Sequence, residues 1–421
     1  MEFKKGYSRQ IDEQFILRIS KQGSEEFKKL LELNVTVHGE AVRDYITKIY
    51  NEHPKKDQLF WLYIEDQKTQ KIVSSISLMP YEWHFGNVII PICEMGFVGS
   101  LQEYRGKGFI SKLNVLYEQV MEERGYVVSV IRGIQFFYRK LGYEFAIPLD
   151  HRILLSPSKI PRKKQDNLKI RRVSHHELDK VVKMYNETYG NYFIWTVFDL
   201  DSYIFRYFNQ EFNDFLADLY FIEENGQPVS YFTFGKSYDN LGYEFKTSKL
   251  SDQQCVKILQ CVEEYHKGAS AEIDLSIREE TDLANYAIQI GGKPYNSYGW
   301  QVKIPDLKLF FEKIKITLEE RINNSDFRAL NQTFYISNYE NTVELIFKEG
   351  KITEIDTREG YPEVGACDVA IPGAFLFKLL LGDRTFDELK FIVPDAMVKR
   401  ESKGLISTLF PKEPSFPESY Y

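Results

Sequence analysis

The stretch Glu94-Met-Gly-Phe-Val-Gly-Ser-Leu-Gln-Glu-Tyr-Arg-Gly-Lys-Gly-Phe-Ile-Ser111 decides how the chain is read. A strand pattern runs through PICEMGFVGS, meets the glycine-containing turn Arg105-Gly-Lys-Gly108, and gives way at once to a helical stripe at Ile110, Leu113, Leu116, Tyr117, Val120 and Met121. At such a junction the first amides of the helix lack partners within the helix and lie beside the positive end of its dipole. Gly106 and Gly108 permit unusual torsions and close approach, and Arg105 and Lys107 add positive charge. The turn is suited to a pyrophosphate. It is not a P-loop, because six residues separate Gly99 from Gly106 and Gly108 rather than Ser or Thr follows Lys107. GxGxxG is absent as well.

Working outward, strand patterns in FILRIS, FWLYIE and VSSISL alternate with helical stretches around EEFKKLLEL and EAVRDYITKIY. Downstream, Phe136-Phe-Tyr-Arg-Lys-Leu-Gly-Tyr-Glu-Phe145 predicts a short helix stopped by Gly142, which holds Tyr138 near the edge of the sheet that carries the turn. A polar connector, SPSKIPRKKQDN, spans Ser156–Asn167. The same order of elements then begins again, without a glycine-rich turn between YEFKTSKL and SDQQCVKILQCVEE. A third segment opens with Asp306 as helix cap and a stripe at Leu307, Phe310, Phe311, Ile314, Leu318 and Ile322, followed by strands and short helices. The expected architecture is α/β (α+β), with units at 1–155, 165–302 and 303–421.

With 421 residues, 43% hydrophobic and 27% charged, the chain can bury real cores. Its net charge of −7 argues against nucleic acid as the main partner and mildly favours cationic small molecules. Four scattered cysteines give no disulfide framework, and seven histidines form neither HxxxH nor HExxH, so no metal is expected. The N-terminus has no apolar signal core and no run of 18 apolar residues occurs, so a cytoplasmic protein without a membrane span is expected. Pro411, Pro414 and Pro417 predict an extended terminal arm reaching roughly 30 Å, and it carries Phe416, Tyr420 and Tyr421.

Arg105-Gly-Lys-Gly108-Phe-Ile110 resembles the acetyl-CoA motif of the GNAT superfamily of N-acyltransferases up to its last position, where Ile110 replaces Gly or Ala. Phe137-Tyr138-Arg139-Lys140-Leu141-Gly142-Tyr143 resembles the family's second motif. The layout is similar to the "enhanced intracellular survival" acetyltransferases, which join two GNAT-like domains, the second without the glycine turn, to a sterol-carrier-like domain. That group also carries a bulky residue at the position of Ile110. The resemblance implies an acetyl-CoA-dependent N-acetyltransferase acting on a cationic amine, aminoglycoside-like, polyamine or lysine. It implies Val98, Gly99 and Ser100 on the pantetheine arm, and the amides of Gly106, Lys107, Gly108, Phe109, Ile110 and Ser111 on the pyrophosphate. Tyr138 would be the general acid and the α-carboxylate of Tyr421 the base, with Glu94 as rival base. Family members form hexamers, so a homo-oligomer is expected. Where the family has an acid beside the terminus, this chain has Tyr420, with Glu418 the nearest carboxylate. The alternatives are a longer-chain acyltransferase, as in N-myristoyltransferases, or a lipid- or acyl-CoA-binding module with a decayed catalytic half.

Overall fold

A computed structural model of the chain describes residues 2–208, 217–237, 242–267, 271–361 and 365–418. Its first part contributes strands β1 (Ser8–Gln10), β2 (Phe15–Ile19), β3 (Phe60–Asp66), β4 (Lys71–Phe85), β5 (Val88–Ser100), β6 (Val128–Ile131) and β7 (Glu144–Leu155). Its helices are α1 (Ser24–His38), α2 (Val42–Glu52) and α3 (Phe109–Arg124). The second part repeats the pattern with β8 (Leu168–Arg172), β9 (Ile194–Thr196), β10 (Ala217–Glu224), β11 (Gln227–Lys236), β12 (Tyr243–Thr247), β13 (Ile273–Arg278) and β14 (Lys293–Lys303). Around these strands pack α4 (Leu178–Tyr189), α5 (Leu200–Tyr207), α6 (Asp252–His266) and α7 (Asp282–Gln289).

All of these strands join one 14-stranded sheet in the order β1-β2-β3-β4-β5-β6-β14-β7-β13-β12-β11-β10-β8, with β9 alongside β4. Within each part the pairing is antiparallel except at one step, β5–β6 in the first and β12–β13 in the second. Strand β3 is buried on both faces because helices cover both. Trp61 and Tyr63 pack with Leu30, Ile46 and Ile49 of α1 and α2, while Leu62 and Ile64 pack with Leu113, Leu116 and Val120 of α3.

The two repeats are interleaved. Strand β14 lies between β6 and β7, pairing Val302 with both Val130 and Glu144, and β7 in turn pairs with β13 from His151 to Leu155. Neither repeat completes its sheet alone. The connector between them is pinned rather than loose: Arg162 pairs with Glu263 at 2.7 Å, and Gln260 donates to the carbonyls of Pro161 and Lys163.

The third part opens with α8 (Leu307–Asn323), where Asp306 accepts from the amide of Leu309 at 3.0 Å and the apolar stripe is buried. Its five-stranded sheet has the order β17-β16-β15-β18-β19, from β15 (Gln332–Ser337), β16 (Asn341–Lys348), β17 (Lys351–Glu359), β18 (Val369–Ala370) and β19 (Met397–Val398). Glu349 and Gly350, both at positive φ, make the β16–β17 turn. The helix pattern expected around AMVKRESKGLISTLF is cut short: Met397–Val398 pair as a strand, and only Lys403–Leu409 are α-helical. Phe85, Phe193 and Phe310, one from each part, meet ring to ring at 4.4 and 5.8 Å. No described helix is long and apolar enough to cross a membrane.

The interleaving predicts that residues 1–160 expressed alone will not fold. Circular dichroism on heating is expected to show no cooperative transition for the fragment and a sharp one for the full chain; a cooperative melt of the fragment would mean that β14 is dispensable to the first sheet.

Candidate active site

Strands β5 and β6 pair only at Ile92–Val128, Cys93–Ser129 and Glu94–Val130, and then diverge. Among the described residues, the edge of β5 from Met95 to Ser100 therefore has no neighbouring strand on that side. A bulge between its pairings with Ser77 and Ser75 places Phe97 at φ 46 and twists the edge locally. An extended chain can add to such an edge by main-chain hydrogen bonds.

Where β5 ends, the turn delivers the chain into α3 with Gly108 as N-cap at φ 72 and no side-chain cap. Gly106 is also left-handed, at φ 79, and a Cβ at either glycine would meet nothing within 4 Å. Glycine is needed here for its torsions, and the space above stays open. The first intrahelical bond runs from Lys112 to the carbonyl of Gly108, so the amides of Phe109, Ile110 and Ser111 find no partner among the described residues. This is an anion cradle.

A cleft of about 1320 Å³ runs along the β5 edge and over this cradle. Val98, Gly99, Ser100, Arg105, Gly106 and Gly108 line it, as do Phe109, Ile110, Ser111 and Tyr138. Lys107 does not: its ammonium sits over the rings of Phe15 at 5.1 Å and Tyr104 at 5.5 Å. The charge expected of Lys107 thus rests on these rings instead of lining the cleft, and of the two basic residues of the turn it is Arg105 that lines it.

Tyr138 opens the short 3₁₀ turn Tyr138–Leu141, ended by Gly142 at φ 86. Its ring is buried against Gly133, where any Cβ would overlap it, and it packs edge-on to Phe137 and Tyr143 at 5.0 and 6.1 Å. Its hydroxyl makes no hydrogen bond among the described residues. Burial and neighbouring Tyr298 push it above the ordinary tyrosine range, so it stays protonated.

Glu94 stands at the last β5–β6 pair, buried but facing the cleft. One oxygen accepts from Arg132 at 3.3 Å and the other from Tyr81 at 3.0 Å. Burial raises its pKa against the pull of both. Arg132 went unnoticed in the sequence, yet the repeat holds a signal for it. Glu244 of YEFKTSKL sits at the last β12–β13 pair, opposite Ser276, and also lines the cleft. Arg132 and Arg278 each lie two positions beyond the partner of their Glu.

The two repeats part company at the helix that follows. The N-terminus of α6 is closed by its own capping box: Ser251 accepts from the amide of Gln254 at 3.4 Å, and Gln254 accepts from that of Ser251 at 2.9 Å. Asp282 accepts from Leu250 at 2.7 Å beside it. No open anion cradle is left there.

The terminal arm is extended, as the prolines predict, and lies against β9. Phe193 donates to Pro414 at 2.8 Å, Phe416 to Ile194 at 2.6 Å, and the Thr196 hydroxyl to Glu418 at 2.7 Å. The Trp300 indole donates to Pro417 at 3.1 Å, and Arg278 donates to Ser415 while lying over the Phe416 ring at 4.3 Å. Glu418 is buried 3.6 Å from Lys246, with burial raising its pKa against Lys246 and Arg206. Arg206 and Glu244 face the cleft, so the arm is delivered to its wall. Tyr421 itself lies outside the described residues.

Residues 18–146 match the family described as "Acetyltransferase (GNAT) domain". Over that span the chain is similar to a GNAT acetyltransferase domain. The cradle, the open β5 edge and Tyr138 all fall within its span. The fold likeness extends over nearly all of the chain. A conserved protein of unknown function from Enterococcus faecalis, described as a probable N-acyltransferase, is 16% identical with a TM-score of 0.72, covering 96% of this chain and 100% of that one. A GCN5-related N-acetyltransferase from Anabaena variabilis is 14% identical with a TM-score of 0.68, covering 95% and 99%. Eis1 from Mycobacterium abscessus is 10% identical with a TM-score of 0.61, covering 97% and 99%. No curated protein matches the chain. GNAT domains use acetyl-CoA, and the open amides, the unpaired edge and the cleft volume fit that ligand. Among the described residues no group of three or more His, Cys, Asp or Glu could hold a metal ion.

The two basic residues of the turn are expected to separate in a binding measurement. Arg105→Ala should weaken acetyl-CoA binding by roughly tenfold, the order of a charged hydrogen bond at a part-exposed site. Lys107→Ala should change it by less than about twofold, since an exposed cation that does not line the cleft acts only through screened charge. Isothermal calorimetry reads both.

Proposed function

We propose that the chain is an acetyl-CoA-dependent N-acetyltransferase acting on a primary amine. The observation that carries this is the pairing, in one cleft, of the amides at the start of α3 with the protonated hydroxyl of Tyr138, all without a hydrogen-bond partner among the described residues. In the transfer the amine lone pair forms the new C–N bond, and the C–S bond breaks with its electron pair going to sulfur. The amine proton passes to a base, and Tyr138 supplies a proton to the thiolate. The amides of Gly106–Ser111, with Arg105, hold the pyrophosphate, and Val98–Ser100 bind the pantetheine arm along the β5 edge.

For the base we retain the terminal carboxylate of Tyr421. The course of the arm supports it, clamped from Pro414 to Glu418 and led to the cleft wall. Glu94 is less suited, since both its oxygens are engaged by Arg132 and Tyr81. The acceptor proposed is a cationic amine, and lysine is favoured over a polycation. Glu94 and Glu244 are the only acids among the described residues lining the cleft, and Lys48, Arg132, Arg206 and Lys236 line it too. A single ammonium fits such a wall better than several. The third part, proposed as a sterol-carrier-like unit, supplies the arm and, through exposed Phe391, Ile392 and Met397, a surface for homo-oligomer contacts.

Tyr138→Phe is expected to lower kcat by about 10²-fold or more, the usual contribution of a general acid, while acetyl-CoA affinity stays within about twofold. Thiol release against a panel of polyamines, aminoglycosides and lysine peptides measures it. In the same assay, removal of Tyr420 and Tyr421 is expected to cost at least about tenfold, with Glu94→Gln closer to wild type. Unchanged turnover in the truncated chain transfers the role of base to Glu94.

A further inference from the structure

We infer that Met79 is the floor of the acyl-binding end of the cleft and restricts the donor to a short acyl group. This rests on the transferase function proposed above, and goes beyond it by naming what sets acyl length.

The cleft has a direction. Its phosphate end is the cradle that follows Ser100, so an arm laid along the β5 edge runs back from Ser100 toward Gly96 and Met95. There β5 and β6 rejoin at Glu94–Val130. The end of the arm, where the acyl group begins, therefore meets the place where the sheet closes.

That end has no room behind it. Met79 lies on β4 directly opposite Glu94, and Gly96 lies opposite Ser77, so Met79 is the diagonal neighbour of Gly96 on one face of the sheet. Its terminal methyl occupies the space a side chain at position 96 would need, with its sulfur at 3.2 Å from an ideal Cβ there and the Ser77 hydroxyl at 3.0 Å. Met79, Met95, Ser77 and Val130 are exposed by 3% or less. Of these, Met79 and Met95 face the cleft. Glycine at 96 thus leaves no pocket of its own; the thioether of Met79 has filled it.

An acyl group longer than acetyl has two courses. It can displace Met79, an unbranched side chain that yields at a cost, or it can turn into the part of the cleft lined by Tyr45, Lys48 and Phe205, which on this reading receives the amine. The second course leaves the nucleotide bound but blocks attack. Chain length should therefore be read in turnover rather than in CoA affinity. Packing discrimination against one added methylene is commonly about 10- to 200-fold.

The experiment compares acetyl-, butanoyl- and octanoyl-CoA in thiol release by the full chain with the same amine panel, in wild type, Met79→Leu, Met79→Val and Met79→Ala. Wild type and Met79→Leu, which conserves volume, are expected to favour acetyl over butanoyl by about tenfold or more. Met79→Val and Met79→Ala should reduce that preference by about tenfold or more, the smaller residue more strongly. Calorimetry with CoA, expected to agree within about threefold across the series, shows that each variant has folded with its cradle intact; if Met79→Ala loses CoA binding, Met79→Val carries the comparison. Wild type that turns over octanoyl-CoA as well as acetyl-CoA overturns the inference, as does a chain-length profile that Met79→Val leaves unchanged. Absence of thiol release from wild type with every donor and amine overturns the transferase function itself, and the inference with it.

Discussion

Two parallel strands that pair for three residues and then part are the constraint on which this molecule turns. Up to Glu94–Val130 the β5 and β6 ladders satisfy each other; beyond it, main-chain donors and acceptors on β5 face a cleft instead of a neighbour. Backbone groups without partners are costly to bury, so such an edge persists only where water or a ligand reaches it. The same divergence makes room for Tyr138 on one side and Glu94 with Arg132 at the base. Strand β14 stabilises it, because it holds β6 from the far side through Ser129, Val130 and Ile131 and leaves the β5 side free.

The second repeat keeps this framework and puts it to a different use. Its strands also part after a carboxylate, Glu244, and an arginine again follows two residues past the partner strand's last pair. Yet Arg278 is spent on the terminal arm, bonded to Ser415 and stacked on Phe416, where Arg132 is bonded to Glu94. The start of α6 is sealed by Ser251 and Gln254. One copy of the module is thus open to a ligand, and the other anchors the chain's own end.

Much of this was legible in the residues. Gly106 and Gly108 announce a strand-to-helix turn at positive φ, the stripe of α3 follows from its spacing, and the prolines at 411, 414 and 417 foretell an extended arm. The missing glycine turn before α6 foretells its closed end. What could not be read is what depends on long-range placement. Spacing cannot say that Lys107 rests on Phe15 and Tyr104, since Phe15 is far away in sequence. Nor can it say that β14 inserts between β6 and β7, because strand order in a sheet is set by packing between repeats rather than by local pattern. The bond from Arg132 to Glu94 was within reach only by superposing the repeats, as their short common pattern, Glu on one strand and Arg beyond the next, is too brief to stand out alone.

Interleaving also has a consequence for biosynthesis. Strand β6 leaves the ribosome well before β14, the strand destined to lie beside it, with roughly 160 residues between them; at ordinary elongation rates of about 5–20 residues per second this is a wait of about 10–30 s. Throughout that interval Val128–Ile131 lack β14 on one side and Glu144–Leu155 lack both β14 and β13, the kind of unsatisfied edge that recruits other chains. Production of this protein is therefore a race between arrival of its own downstream strand and capture by strangers.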